Sequence, residues 1–223
     1  MRKHRNARRA SREMLGLSRA EFALLRRLDR PEKIHEFLFE LGQNFELDGK
    51  DTCNSVRTVL RKRRAHCIEG AMVAACAMWI HGERPLLLDL QAVKDVDHVI
   101  ALYRRGGCWG AYSKTNSFGL RGRDPIYRSL RELAMSYFHE YTNKRGRKTL
   151  RTYSRPYDLR RMNPADWVTA KDGAWDLIDN LEATRHYKLV NGRQERLVRR
   201  ADRFETQLGN LLQYQRPRAR KKK

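Results

Sequence analysis

The segment Arg64-Ala-His-Cys67-Ile-Glu-Gly-Ala71 holds the most specific chemistry in the chain. It opens the run Gly70–Ile80, which has helix formers throughout and no charged residue. A cysteine in the first turn of such a helix feels the partial positive charge of the helix end and its free N–H groups. Arg61, Lys62, Arg63 and Arg64 precede it and add positive charge. Both effects favour thiolate over thiol. A thiolate there is a nucleophile, and a free N–H beside it can stabilise an oxyanion. The second member is His98, which begins an apolar strand 31 residues after Cys67. An imidazole on a strand edge facing the helix mouth can accept and return the proton. A third group should orient the ring. Ser113, Thr115 and Asn116 pass opposite His98 if the intervening hairpin turns near Gly106. Asn116 is preferred, because its amide oxygen can accept the ring N–H; Ser113 and Asp124 are the alternative third members.

Blander readings stand beside these. A cysteine near a buried helix is more often a small hydrophobe, which is how Cys76 and Cys108 read. His66 is a rival base, although adjacent helix residues point in different directions. Trp109 and Tyr112 are candidate pocket residues beside the Cys67 backbone N–H, with a core role the simpler reading for Trp109. His66, Cys67, His98 and Cys53 match no usual zinc spacing, so no metal is expected. Arg105-Gly-Gly-Cys108 is a turn and not a phosphate cradle, and no cofactor is implied.

Several elements must position these groups. Ser18-Arg-Ala-Glu21 is a capping box that opens a helix ending before Pro31. Pro31 suits the first turn of a helix over 32–41, and a third is expected over 51–63. The run Gly70–Ile80 reads as a helix buried on all sides, closed by Gly82. Leu86–Leu90, Val99–Tyr103 and Cys108–Tyr112 read as strands, the last two as an antiparallel hairpin. Helices are expected over 127–141, around Trp167 to Leu181, and over 196–214. Tyr187–Val190 followed by Asn191-Gly192 signals a hairpin.

The order helix-Cys, strand-His, next-strand polar group resembles the transglutaminase-like superfamily, a branch of the papain-like cysteine enzymes. The wording that carries it is Cys67-x-Glu-Gly-Ala, Leu-Leu-Leu-Asp-Leu90, Asp97-His98-Val and Trp109, within residues 31–143. It is closest to uncharacterised bacterial transglutaminase-like domains. The resemblance implies an α+β fold with a papain/transglutaminase-like core, in which a buried Cys-bearing helix packs on an antiparallel sheet. It implies a Cys-His-Asp or Cys-His-Asn triad, with Cys67 and His98 in its first two places. The family places Asp about four residues after the hairpin tryptophan; here that residue is Ser113. The implied activity is thiol-dependent acyl transfer on a protein or peptide carboxamide: hydrolysis, deamidation or cross-linking.

The organisation expected is a basic N-terminal arm and helix over 1–30, the core over 31–143, a helical and hairpin extension over 144–215, and a basic tail over 216–223. The net charge of +22 over 223 residues excludes an ordinary neutral metabolic enzyme as the whole story. It sits at the ends: +7 over 1–30 and +10 over 185–223, against +2 over 31–143. Arg2, Lys3, Arg5, Arg216, Arg218, Arg220 and Lys221 are therefore candidate phosphate contacts. A second basic stretch, 144–161, interleaves Tyr153 and Tyr157 and would suit base stacking. The alternative function is thus a non-catalytic, nucleic-acid- or ribosome-associated basic protein on the same fold. Four irregularly spaced cysteines point to a reducing, cytoplasmic setting. The longest uncharged apolar stretch, 70–80, falls far short of the ~20 residues a membrane span needs.

Overall fold

The computed structural model describes residues 8–47 and 49–217. Four helices come first: α1 (Arg19–Arg26), α2 (Pro31–Glu40), α3 (Val56–Lys62) and α4 (Cys67–Ile80). Two short strands, β1 (Gly42–Gln43) and β2 (Arg64–Ala65), pair in parallel between them. The Ser18/Glu21 box caps α1, and Pro31 begins α2. Every residue from Ile68 to Ile80 is buried, as a helix with no polar face requires. Gly82, at φ 85°, ends the helix by a turn that L-residues disfavour.

The main sheet follows: β3 (Leu86–Ala92), β4 (His98–Arg105), β5 (Cys108–Tyr112), β6 (Arg123–Tyr127), β7 (Leu150–Ser154), β8 (Tyr157–Asp158) and β9 (His186–Lys188). Its order is β6-β5-β4-β3-β7-β9, with β8 also on β3, and every pair is antiparallel. The fold is α+β. Alternation along the strands buries both faces. Leu87, Val99, Ala101 and Tyr103 pack in the layer that holds α4. Leu88, Leu90, Ile100 and Leu102 pack under α5 (Leu130–Met135) and the segment that follows it, through Leu133, Tyr137 and Phe138.

The structure departs from expectation after residue 120. The helix expected over 127–141 is realised only as the short α5; Tyr127 ends edge strand β6, which carries Pro125 where no ladder donor is needed. The region expected as a helical and hairpin extension contributes β7, β8 and β9 to the central sheet, so the sheet runs through the boundary placed at 143. α6 (Trp175–Glu182) lies within the stretch expected to be helical. Asn191-Gly192 makes no hairpin: the Asn191 side chain accepts from the Gln194 N–H and caps α7 (Gly192–Leu197). α8 (Arg203–Gly209) follows after a break, in place of one helix over 196–214. Among the described residues, no helix is long and apolar enough to cross a membrane.

One close approach sets the site. A Cβ on Gly70 would stand 2.3 Å from the Lys114 Cβ. Only glycine lets the chain leaving β5 pass directly over the first turn of α4.

Candidate active site

Cys67 is the first residue of α4 and His66 its N-cap. Cys67, partly buried, lines a cavity of about 300 Å³ with Gln43, His66, His98, Asn116 and Tyr141 among others. The β1–β2 pairing matches Gln43 with Ala65, which sets the Gln43 amide beside the helix mouth. His98 is pinned as the first residue of β4 by its pairing with Leu90 and is 4% exposed.

His66 and His98 line one cavity with the sulfur, and both act on it electrostatically. Burial alone would push the thiol up. The hydrogen-bonding and charge interactions of His66 and His98 outweigh it and hold Cys67 well below the ordinary thiol value. The arginines expected to do this are turned to water: residues 61–64 are exposed, and Arg63 lies over the Phe37 ring. The other two described internal thiols differ. Burial pushes Cys53 up to about 12 and raises Cys76 further.

The third position is occupied by Ser113, not Asn116. His98 Nε2 lies 2.8 Å from Ser113 Oγ, and that hydroxyl is 2.6 Å from the Leu120 carbonyl. A carbonyl can only accept, so the hydroxyl hydrogen goes to Leu120. The Ser113 oxygen must then accept from His98 Nε2–H. The remaining nitrogen, Nδ1, is left for the sulfur. Asn116 lines the cavity but is committed elsewhere. Its amide donates to the Tyr214 carbonyl (2.9 Å) and accepts from the Tyr214 N–H (2.8 Å). The Gln213 N–H donates to the Asn116 carbonyl, so residues 211–214 run along the cavity rim as a strap. Asp124 is exposed on β6, where its charge acts on His35 and Tyr103.

Two expected pocket residues lie away from the cavity. Tyr112 is buried in the core, stacked on Tyr103 at 4.3 Å. Trp109 packs in the second apolar cluster with Arg104 over its ring. Arg2, Lys3, Arg5, Arg218, Arg220 and Lys221 lie outside the described residues; Arg216 is exposed. In the basic stretch 144–161, Tyr157 is buried and Tyr153 packs on Tyr187, so neither ring is a free stacking platform.

Sequence reasoning missed two residues. Gln43 donates its amide nitrogen to the Asn44 carbonyl at 3.2 Å, while its buried amide oxygen has no hydrogen-bond partner among the described residues. Nothing local in Gly-Gln-Asn signals this place. Glu69 was visible only as part of a motif. It is fully buried and accepts from the His66 N–H (2.9 Å), the Asn54 N–H (2.8 Å), Thr52 Oγ1 (2.9 Å) and Asn44 Nδ2 (3.1 Å). Burial opposes its charge, but the His66 charge and these donors keep it below the usual carboxylate range.

Ser113→Ala removes one hydrogen bond of about 1 kcal/mol from the His98 ring, which should lower any turnover that uses this ring roughly fivefold. Asn116→Ala frees the strap and leaves turnover within about twofold. Steady-state rates of the two variants check this contrast, and an Asn116 loss as large as that of Ser113 would restore Asn116 to the triad.

No family model matches the chain, and no curated protein matches it in sequence.

Proposed function

We propose that the chain is a thiol-dependent acyl-transfer enzyme with a papain/transglutaminase-like catalytic arrangement. The observation that carries this reading is a sulfur at the mouth of α4 in one cavity with an imidazole oriented by Ser113. Cys67 attacks a carboxamide or peptide carbonyl, forming an S–C bond as the carbonyl electrons move to oxygen. The Cys67 backbone N–H, at a helix position without an intrahelical acceptor, faces the developing oxyanion. Collapse breaks the C–N bond, and His98 gives its proton to the departing amine. A thioester remains. Water or a second amine, deprotonated by His98, then releases the acyl group. Ser113 holds the ring in the orientation that both steps need.

The substrate class is a protein or peptide bearing a carboxamide. Incubation with glutamine- and asparagine-containing peptides in hydroxylamine tests this. Hydroxamate should form with the natural chain and fall to background with Cys67→Ala. Equal yields from the two proteins would remove the thioester from the account.

A further inference from the structure

Two imidazoles line the cavity with the Cys67 sulfur, and the groups behind them differ. His98 gives its outer N–H to Ser113, a neutral hydroxyl. His66 Nε2 lies 2.7 Å from the Thr52 carbonyl, an acceptor only, so this nitrogen carries hydrogen and Nδ1 is left for the sulfur. The same Nε2 is 3.4 Å from Glu69 Oε1 and 3.6 Å from Glu46 Oε1. His66 thus has carboxylates on one side and the sulfur on the other, while His98 has no carboxylate within ion-pair distance among the described residues.

We propose that His66, held by Glu69 and Glu46, is the resting partner of the Cys67 thiolate and stays protonated through the cycle, leaving His98 free to move the substrate's protons. This rests on the acyl-transfer reading and assigns its two imidazoles separate work. The thiol proton resides on His66 before substrate arrives. In acylation, thiolate, amide and His98 imidazolium become thioester, free amine and neutral His98. In deacylation, neutral His98 takes a proton from water as the hydroxide attacks. Thiolate and carboxylic acid result, and His98 is again the cation. Hydrolysis balances with His66 unchanged. On this assignment His66 pairs with the reacting atom, and Glu69 and Glu46 are positioning residues.

The groups facing His66 are Cys67 and Glu69 of α4 and, from the loop over 44–54, Glu46 and the Thr52 carbonyl. Burial alone would lower the imidazole. The Cys67 bond and charge, then Glu69 and the Thr52 carbonyl, outweigh burial and raise it to about 9. The ion pair therefore persists across neutral pH and is lost as pH rises through about 9.

The test is site-resolved alkylation of the full chain by iodoacetamide at pH 6, read by peptide mass spectrometry. Because His66 also caps α4, His66→Asn, which keeps a capping side chain, is run beside His66→Gln. Both should label Cys67 at least tenfold more slowly than the natural chain. His98→Gln should label within threefold of it while failing to form hydroxamate. Glu46→Gln should slow labelling about two- to threefold. If the His66 variants label as fast as the natural chain and His98→Gln is tenfold slower, the proposal is overturned and the acyl-transfer reading stands. If the natural chain labels at pH 6 only as fast as its own denatured form, both fail.

Discussion

On the proposed acyl-transfer reading, His98→Ala should lower turnover on a carboxamide substrate by about 10²–10⁴-fold, the range carried by a positioned general acid–base group. The loss is in kcat. Without the ring, the departing amine leaves unprotonated and water attacks the thioester unassisted. Binding is little changed, because the cavity walls contributed by Gln43, Asn116 and Tyr141 remain. The effect exceeds that of Ser113→Ala, since Ser113 acts only through the ring it orients. His98→Ala also strands Ser113 with its Leu120 bond alone, a small cost because that hydroxyl is half-buried and can be hydrated. Hydroxamate formation, measured as kcat and KM separately, checks the prediction. A variant that keeps more than a tenth of the natural kcat would remove His98 from proton transfer.

Gly70→Ala destabilises the chain and damages the site together. A helix-interior alanine gains about 1 kcal/mol over glycine. Against this, the new Cβ would stand 2.3 Å from the Lys114 Cβ and 3.0 Å from its Cγ. Lys114 is 1% exposed and donates Nζ to the Leu41 carbonyl at 2.6 Å, so its side chain cannot swing out of the way. A Cβ also moves only with its backbone. Overpacking at such a point costs about 3 kcal/mol, the upper part of the usual range. The net loss of about 2 kcal/mol corresponds to a Tm lowered by roughly 4–8 °C in a chain this long. Lys114 neighbours Ser113, so the displaced backbone also pulls the hydroxyl from His98. Turnover should fall with stability, whereas an ordinary core substitution at this distance would lower stability alone. Thermal melts with rates measured well below the transition separate these effects. An unchanged Tm would show that the two segments do not depend on the missing side chain.

The parts of the fold written in local pattern were legible. The uncharged run 70–80 could only be a helix buried all round, and Leu86–Leu90, Val99–Tyr103 and Cys108–Tyr112 lie within β3, β4 and β5. Cys67 and His98 stand at the first residues of α4 and β4, where element boundaries are readable from composition. What was not legible depended on distant partners. Side-chain chemistry favours Asn116 over Ser113, but Tyr214, 98 residues away, engages the Asn116 amide. Asn191-Gly192 carries a hairpin signal and a cap signal at once, and tertiary context selected the cap. β7 and β9 are short and lack a sustained apolar alternation; β7 joins the sheet on β3 and β9 joins it on β7. Glu69 reads as an ordinary first-turn acid. Its role as the hub of the 44–54 loop comes from five donors contributed by that loop and the His66 backbone.

The central claim is that Cys67 is ionised in the folded chain at neutral pH. Its alkylation rate between pH 6 and pH 8, native against denatured, tests this most directly. In the denatured chain an ordinary thiol ionises near pH 8.5, so the rate climbs close to tenfold per pH unit. In the native chain the thiolate is already formed, and the rate should change by less than threefold across the same interval. A native profile that rises in parallel with the denatured one would contradict the account.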